Sequence, residues 1–145
     1  MIDIQVQGLA ELERKMLALG PKIGLKALRS ALASGAQVIK RDAMIRVPMK
    51  TGRLKRALYI KRLSKPNPFQ ERFIFGARHG KKMRKRNLDA YYWGFIEFGH
   101  KDRSGNAVNP RPFIVPAFAS KKEAALDRIK VVLRNKIQQF AKEKA

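Results

Sequence analysis

Cysteine is absent from this 145-residue chain, and histidine occurs only twice. The missing thiols exclude a disulfide scaffold, cysteine-ligated zinc, an iron–sulfur cluster and thiol catalysis. Two histidines leave little room for a histidine-rich metal site. Long apolar runs are missing as well, since none approaches the ~18–20 residues that cross a bilayer. Residues 1–16 contain acidic side chains and no apolar signal-peptide segment, so no secretory leader and no membrane partner are expected.

Acidic residues are scarce: 11 stand against 33 lysines and arginines, for a net charge of +22. Residues 50–86 hold 14 of the basic residues and one acidic residue, whereas residues 87–120 are neutral overall. The densest run lies at 81–86. A block of like charge repels itself and cannot be packed in a core. The sequence therefore predicts an exposed basic loop at about 78–89.

Such a loop can serve solubility alone, or it can contact phosphates or an acidic protein surface. The density of charge favours contact, without specifying the partner. The candidate partner or DNA contacts are Arg78, Lys81, Lys82, Arg84, Lys85 and Arg86, together with Arg53, Lys55 and Arg56.

Hydrophobic spacing predicts helices at both ends of the chain. Alternating apolar residues at 2, 4 and 6 indicate a short strand, and helical spacing begins at Leu9. Gly20-Pro21 breaks the pattern, and a long amphipathic helix is predicted over about 22–46, with a waist of small residues at 31–36. It should end before Pro48, because the residue before a proline disfavours helix. Another helix occupies the C-terminal region.

The middle of the chain predicts a hairpin. A strand beginning near residues 55–57, a loop at 64–68 and a strand at 71–76 would pair antiparallel, with Arg and Lys outward. Residues 90–98 fit a strand or a short helix, with a slight preference for helix. Residues 99–111 are predicted to form a loop. The fold class is therefore α+β: one domain over 1–145, with a small antiparallel β-sheet flanked by a long N-terminal helix and a C-terminal helix.

No catalytic constellation is found. Glu97 and His100 lie three residues apart without further convergent ligands, so Glu97 is interpreted as capping a turn or pairing with a lysine. No phosphate-binding glycine motif, hydrolase triad, metal site or cofactor site is predicted. The aromatic residues of 91–98 could stack on bases beside the basic loop, although packing between a sheet and a helix is their more frequent use.

Several segments, in order, carry a resemblance. They are Gly8–Leu12, Val47–Leu54, Tyr92–His100 and Arg111–Phe118. They resemble the G-L-x-E-L, P-x-x-T-G-x-L, Glu-aromatic-Gly-Thr and R-P-F-x-x-P-A motifs of the neck, or tail-completion, proteins of long-tailed bacteriophages, often called minor tail components. The chain departs from that pattern at His100, where the family usually has Thr, and in its long basic loop.

The resemblance implies a structural virion assembly protein, not an enzyme, that joins the tail to the capsid connector. It implies a homo-oligomeric ring, expected to be a hexamer, whose partners are other neck, connector and tail-tube proteins, with DNA in the channel as a further candidate. The protein would be made in the host cytoplasm and reside in the virion. The motif residues would shape backbone turns: Pro48, Thr51, Gly52, Leu54, Glu97, Gly99, Pro112, Phe113 and Pro116.

The alternative hypothesis is a nucleic-acid-binding module that contacts phosphates through residues 50–86. Its affinity should fall steeply with salt, whereas a ring subunit should self-associate or bind a protein partner.

Overall fold

The α+β prediction is confirmed by a computed structural model, which describes residues 9–50, 52–63 and 71–144. The elements, in chain order, are α1 (Leu9–Ala18), α2 (Pro21–Arg46), α3 (Arg53–Ala57), β1 (Leu58–Leu63), β2 (Arg72–Ala77), α4 (Lys81–Lys85), α5 (Trp93–Phe98), β3 (His100–Lys101), β4 (Ala107–Val108) and α6 (Ile114–Lys144). The strand predicted at 2–6 and the loop predicted at 64–68 lie outside the described residues.

The two long helices, α2 and α6, pack against each other in antiparallel directions. The middle of α2 meets the middle of α6 at the predicted waist of small residues, where a Cβ added to Gly35 would lie 2.5 Å from Cγ1 of Ile129 and 3.0 Å from the carbonyl oxygen of Ala125. Ala27 and Ala31 are fully buried on the same helix. Small side chains at this waist therefore let the two backbones approach closely.

Among the residues that the structure describes, two apolar clusters form the core. One joins α1, the first half of α2 and the last half of α6, and its largest members are Leu12, Leu19, Leu133 and Ile137. The other lies under the β1–β2 hairpin, around Phe113, Leu54 and Leu58. Phe113 is the largest fully buried side chain among the described residues. The second cluster thus ties the hairpin to the start of α6.

The predicted antiparallel hairpin is confirmed, although its first strand begins later than expected. β1 pairs with β2 from Leu58 opposite Ala77 to Leu63 opposite Arg72. Residues 53–57 form the helix α3 instead of the start of a strand. Leu54 and Ala57, three residues apart, are both buried, and this spacing brings both side chains to one face only in a helix.

Lys61 and Arg72 lie on the outer face of this hairpin, as predicted for its basic residues. Arg62 lies on the opposite face, which is turned toward α2, because adjacent residues of a strand point to opposite sides.

Three further segments contain elements that can be set against the sequence prediction. Helix α5 confirms the preferred interpretation of residues 90–98. The predicted basic loop contains the short helix α4, because lysine, methionine and arginine are good helix formers. The predicted loop 99–111 contains the small β3–β4 hairpin. Its turn is closed by Asp102, whose carboxylate accepts hydrogen bonds from the amides of Ser104 and Asn106 at 2.9 and 2.8 Å.

Candidate assembly surfaces

The basic segment 78–89 is held on a defined platform. The amide of Ala90 donates to the carbonyl of Arg78 at 2.8 Å, which closes the segment at its base. The buried carboxylate of Asp89 accepts from the amide of Gly80 at 3.0 Å and from Nε of Arg84 at 3.3 Å. The hydrogen bond from the Gly80 amide has the largest effect, and together with the contact from Arg84 it holds the pKa of Asp89 below its usual value. One buried carboxylate therefore anchors a segment that is otherwise cationic.

All six predicted contacts of this segment are exposed: Arg78, Lys81, Lys82, Arg84, Lys85 and Arg86. The predicted contacts of α3 differ, since Arg56 is exposed and Arg53 and Lys55 are half-buried. The structure brings Arg53 together with Arg84 in a cleft of about 400 Å³, which Asn87, Asp89 and Tyr91 also line. Lys55 and Arg56 are not among the residues that line it.

The aromatic run at 91–98 divides between the core and the surface. Tyr92 and Trp93 are half-buried and pack against the hydrophobic cluster under the hairpin. Tyr91 is 67% exposed and faces the cleft beside Arg84. Of the aromatic residues 91–93, only Tyr91 is thus placed to stack on a base.

An ion triad joins the residue before β2 and strand β1 to α2. The side chain of Glu71 is 3% exposed, accepts from Arg62 at 2.8 and 2.9 Å and accepts from Arg29 at 2.9 and 3.2 Å. The hydrogen bond from Arg62, followed by that from Arg29, lowers the pKa of Glu71. Two guanidinium groups around one carboxylate leave one positive charge in excess at this junction.

Glu97 caps the first turn of α6, which agrees with its interpretation as a capping residue. Its carboxylate is nearly fully buried and accepts hydrogen bonds from the amides of Phe113, Ile114 and Val115 at 2.8, 3.0 and 2.8 Å. The first four amides of a helix have no partner within it. Glu97 takes three of them, and the next residue, Pro116, has no N–H to satisfy.

The other motif residues occupy turns or core positions around this cap. Gly52 lies in a turn, as the resemblance implies, and has a positive φ of 71°. Gly99, with φ 75°, ends α5, and a Cβ there would lie 2.8 Å from the carbonyl oxygen of Val108. Leu54 and Phe113 are buried, Pro48 and Pro116 are half-buried, and Pro112 is exposed. Thr51 lies outside the described residues.

Large apolar side chains are exposed where the end of α2, helix α5 and the start of α6 meet. The three elements are joined by the Glu97 cap and by a hydrogen bond from Arg46 to Ser120. We call this surface the apolar end, and its members are Ile45, Met49, Phe95, Phe98, Val115 and Phe118. Ile45 is 80% exposed and Phe98 is 69% exposed. Large apolar side chains exposed on adjoining elements are candidates for an interaction site.

Within residues 9–50, 52–63 and 71–144, no group of three or more histidine or acidic side chains is placed to bind a metal ion. In the same residues, no helix has both the length and the hydropathy needed to traverse a bilayer.

The chain thus combines an α+β fold, a capped C-terminal helix and exposed basic and apolar side chains. Residues 10–99 match the family model described as "Bacteriophage HK97-gp10, putative tail-component". The match covers more than half of the chain, and the protein belongs to this family. Comparisons with curated proteins and with solved structures gave no match.

The family confirms the resemblance to phage neck and tail-completion proteins and gives the chain a structural role in the bacteriophage tail, and hence a place in the virion. Two of the motif segments, Val47–Leu54 and most of Tyr92–His100, lie within the matched residues. The Arg111–Phe118 segment follows them and supplies the amides that Glu97 caps.

Sequence reasoning missed two anchoring carboxylates. Glu71 is the one acidic residue in the stretch 50–86, and Asp89 is the first acidic residue after the basic run. A lone carboxylate inside a strongly cationic stretch was the available signal, because a single anion among so many cations readily finds a guanidinium partner.

Proposed function

We propose that this protein is a subunit of a ring at the head–tail junction, where it completes the tail and joins it to the capsid connector. In this proposal about six copies form the ring, and the protein acts structurally, without catalysing a reaction. Its partners are further copies of itself and other neck, connector and tail-tube proteins. The ring is assembled from subunits made in the host cytoplasm.

The observation that carries the proposal is the apolar end, together with membership of the tail-component family. Phe98 and Ile45 are exposed at the surface although each would gain roughly 1.5–3 kcal/mol if it were buried. The neighbouring Glu97 cap fixes the backbone on which Phe98 and Val115 stand. A rigid apolar surface fits a permanent contact with a neighbouring virion protein.

The first test of this proposal uses the phage that encodes the protein. Deletion of the gene should leave DNA-filled heads and finished tails unjoined in electron micrographs, and expression of the wild-type protein in trans should restore joined particles. Joined, infectious particles without the protein would refute the proposal.

A second test targets the apolar end itself. Phe98→Ser should allow the protein to fold but should reduce the yield of joined particles at least tenfold. Leu17→Ser provides the matched control, because Leu17 is also exposed but lies on α1, outside the apolar end. Equal yields from the two variants would argue against a role for this surface.

A second candidate function, binding of nucleic acid, is favoured by the cleft beside Tyr91. There a mostly exposed ring lies next to Arg84, and the exposed cations of α4 adjoin it. Aromatic stacking together with phosphate contacts is the usual way to hold a single strand. If Z phosphates are contacted, the logarithm of the affinity should fall with the logarithm of the salt concentration with a slope of about −0.7Z. Salt-independent binding, or none, would exclude this function.

A further inference from the structure

A second charged surface lies far from the basic segment, where α2, the β1–β2 hairpin and the last half of α6 meet. It is a groove of about 450 Å³, and the half-buried rings of Phe73 and Phe140 contribute apolar surface to it. Four cations also line it: Lys26, Arg29, Arg62 and Lys136. We call it the cationic groove.

The cationic groove has too few carboxylates of its own. In the described ranges 9–50, 52–63 and 71–144, Glu71 is the one carboxylate paired with its cations, and it serves both arginines. Nζ of Lys26 lies 5.4 Å from the centre of the Phe140 ring, where it interacts with the aromatic face. Three positive charges in excess beside aromatic rings fit an occupant that brings both carboxylates and apolar side chains. The backbone of a DNA duplex supplies negative charge but no apolar side chain.

Such a surface exists elsewhere on the same chain. Glu123 and Asp127 are exposed on α6, one turn apart, with the exposed Ala124 and Val131 beside them. Among the ion pairs of the described residues, none includes either carboxylate. Like charges spaced i, i+4 destabilise a helix unless a partner neutralises them. We call Glu123, Asp127 and Val131, which share one face of α6, the acidic stripe. Lys130, three residues after Asp127, adjoins this face, and Arg128 lies beside it.

The stripe cannot reach the groove of its own chain. Asp127 and Lys136 are nine residues apart on one helix, which is about two and a half turns, so their side chains point to opposite sides. Two complementary surfaces on opposite sides of one molecule make contacts of the head-to-tail kind. Such contacts repeat from copy to copy and close into a ring when the rotation allows it.

We propose that the cationic groove of one copy receives the acidic stripe of the next. Glu123 and Asp127 lie against Lys26 and Lys136, and Val131 contacts the Phe140 ring. The proposal rests on the proposed ring and names the lateral contact within it, whereas the apolar end faces the other virion proteins.

Charge exchange tests this contact. The stripe-reversed variant Glu123→Lys/Asp127→Lys and the groove-reversed variant Lys26→Glu/Lys136→Glu should each associate at least about a hundredfold more weakly than wild type, because like charges then meet. An equimolar mixture should recover the association, since every contact in an alternating assembly pairs opposite charges. The fourfold variant should also recover it within one chain. Native mass spectrometry and sedimentation at moderate salt supply the readout.

The outcomes separate this inference from the proposed function. A discrete wild-type ring that both reversals leave intact overturns the groove–stripe contact and leaves the ring standing. A mixture that stays dissociated also overturns it. A wild-type protein that stays monomeric at every concentration excludes a second copy as occupant and points to an acidic segment of another protein. Circular dichroism checks folding. If a reversed variant fails to fold, Glu123→Gln/Asp127→Asn replaces the stripe-reversed variant and Lys26→Gln/Lys136→Gln replaces the groove-reversed variant, with a smaller loss of association expected.

Discussion

Replacement of Glu97 by glutamine tests the cap at the start of α6. In Glu97→Gln the amide oxygen can retain the two bonds that Oε2 accepts, from Phe113 and Ile114. The NH₂ group then faces the amide of Val115, so that two donors meet and one hydrogen bond is lost. The remaining bonds also lose the negative charge that strengthens them at the positive end of α6.

The expected loss follows from these contacts. A hydrogen bond to a charged group contributes about 1.5–3 kcal/mol, and an unsatisfied buried donor costs about 1–3 kcal/mol. Because the bonds to Ile114 and Val115 are only partly buried, we expect a total of about 2–4 kcal/mol for Glu97→Gln. With a urea m-value of about 1–3 kcal/mol per M, the unfolding midpoint should fall by about 1 M or more.

Equilibrium unfolding in urea, followed by circular dichroism, measures this change directly. Glu13→Gln is the matched control, because it makes the same chemical change at an exposed position of α1 and should stay within about 0.5 kcal/mol of wild type. If Glu97→Gln were as stable as this control, the carboxylate would not cap the helix, and the interpretation of the motif as a structural cap would be refuted.

Three further predictions concern packing, pH and local order. Gly35→Ala should destabilise the protein by about 1–3 kcal/mol, because the new Cβ would lie 3.0 Å from the carbonyl oxygen of Ala125. Gly94→Ala is the control, since its Cβ would meet open space and alanine favours a helix, so stability should rise slightly. Equal shifts of the two melting temperatures would contradict this prediction. Glu71 has a folded pKa below its unfolded value of about 4.3, so the stabilisation that it contributes is complete above about pH 4.3 and is lost as the pH falls through the folded pKa. The urea midpoint, measured from pH 6 downward, should therefore decline less in Glu71→Gln than in wild type. Parallel curves for the two proteins would exclude the effect. Asp89→Ala should speed amide hydrogen exchange in α4 while leaving α2 unchanged, and unaltered exchange in α4 would show that the Asp89 anchor does not order this segment.

Residues with strong periodicity and turn chemistry were predictable from the sequence. The helical spacing of apolar residues predicted α2, and Pro21 and Pro48 marked its ends, so its predicted start differs from the observed one by one residue. The positive φ of Gly52 follows from its residue type, because only a residue without a side chain adopts that conformation freely. A capping role was one of the two interpretations of Glu97 that the sequence allowed, but the amides that it caps were not predicted.

Other features depended on contacts between distant segments. Residues 53–57 form a helix because Leu54 and Ala57 are both buried in the core under the hairpin, and a short apolar segment by itself fits either structure. The residues of 99–111 pair as a hairpin through the turn that Asp102 closes. The aromatic run divided between core and surface according to which side of α5 faces the hairpin cluster.

The sequence by itself determined the two long helices, the β1–β2 hairpin, the exposed basic segment and the family to which this protein belongs, because these depend on local spacing, charge density and motif order. Only the tertiary structure decided which charges are anchored and which surfaces remain open. Glu97 meets amides 16–18 residues away, and Glu71 meets an arginine 42 residues away. The cationic groove likewise combines α2, the hairpin and α6, which no local pattern could bring together.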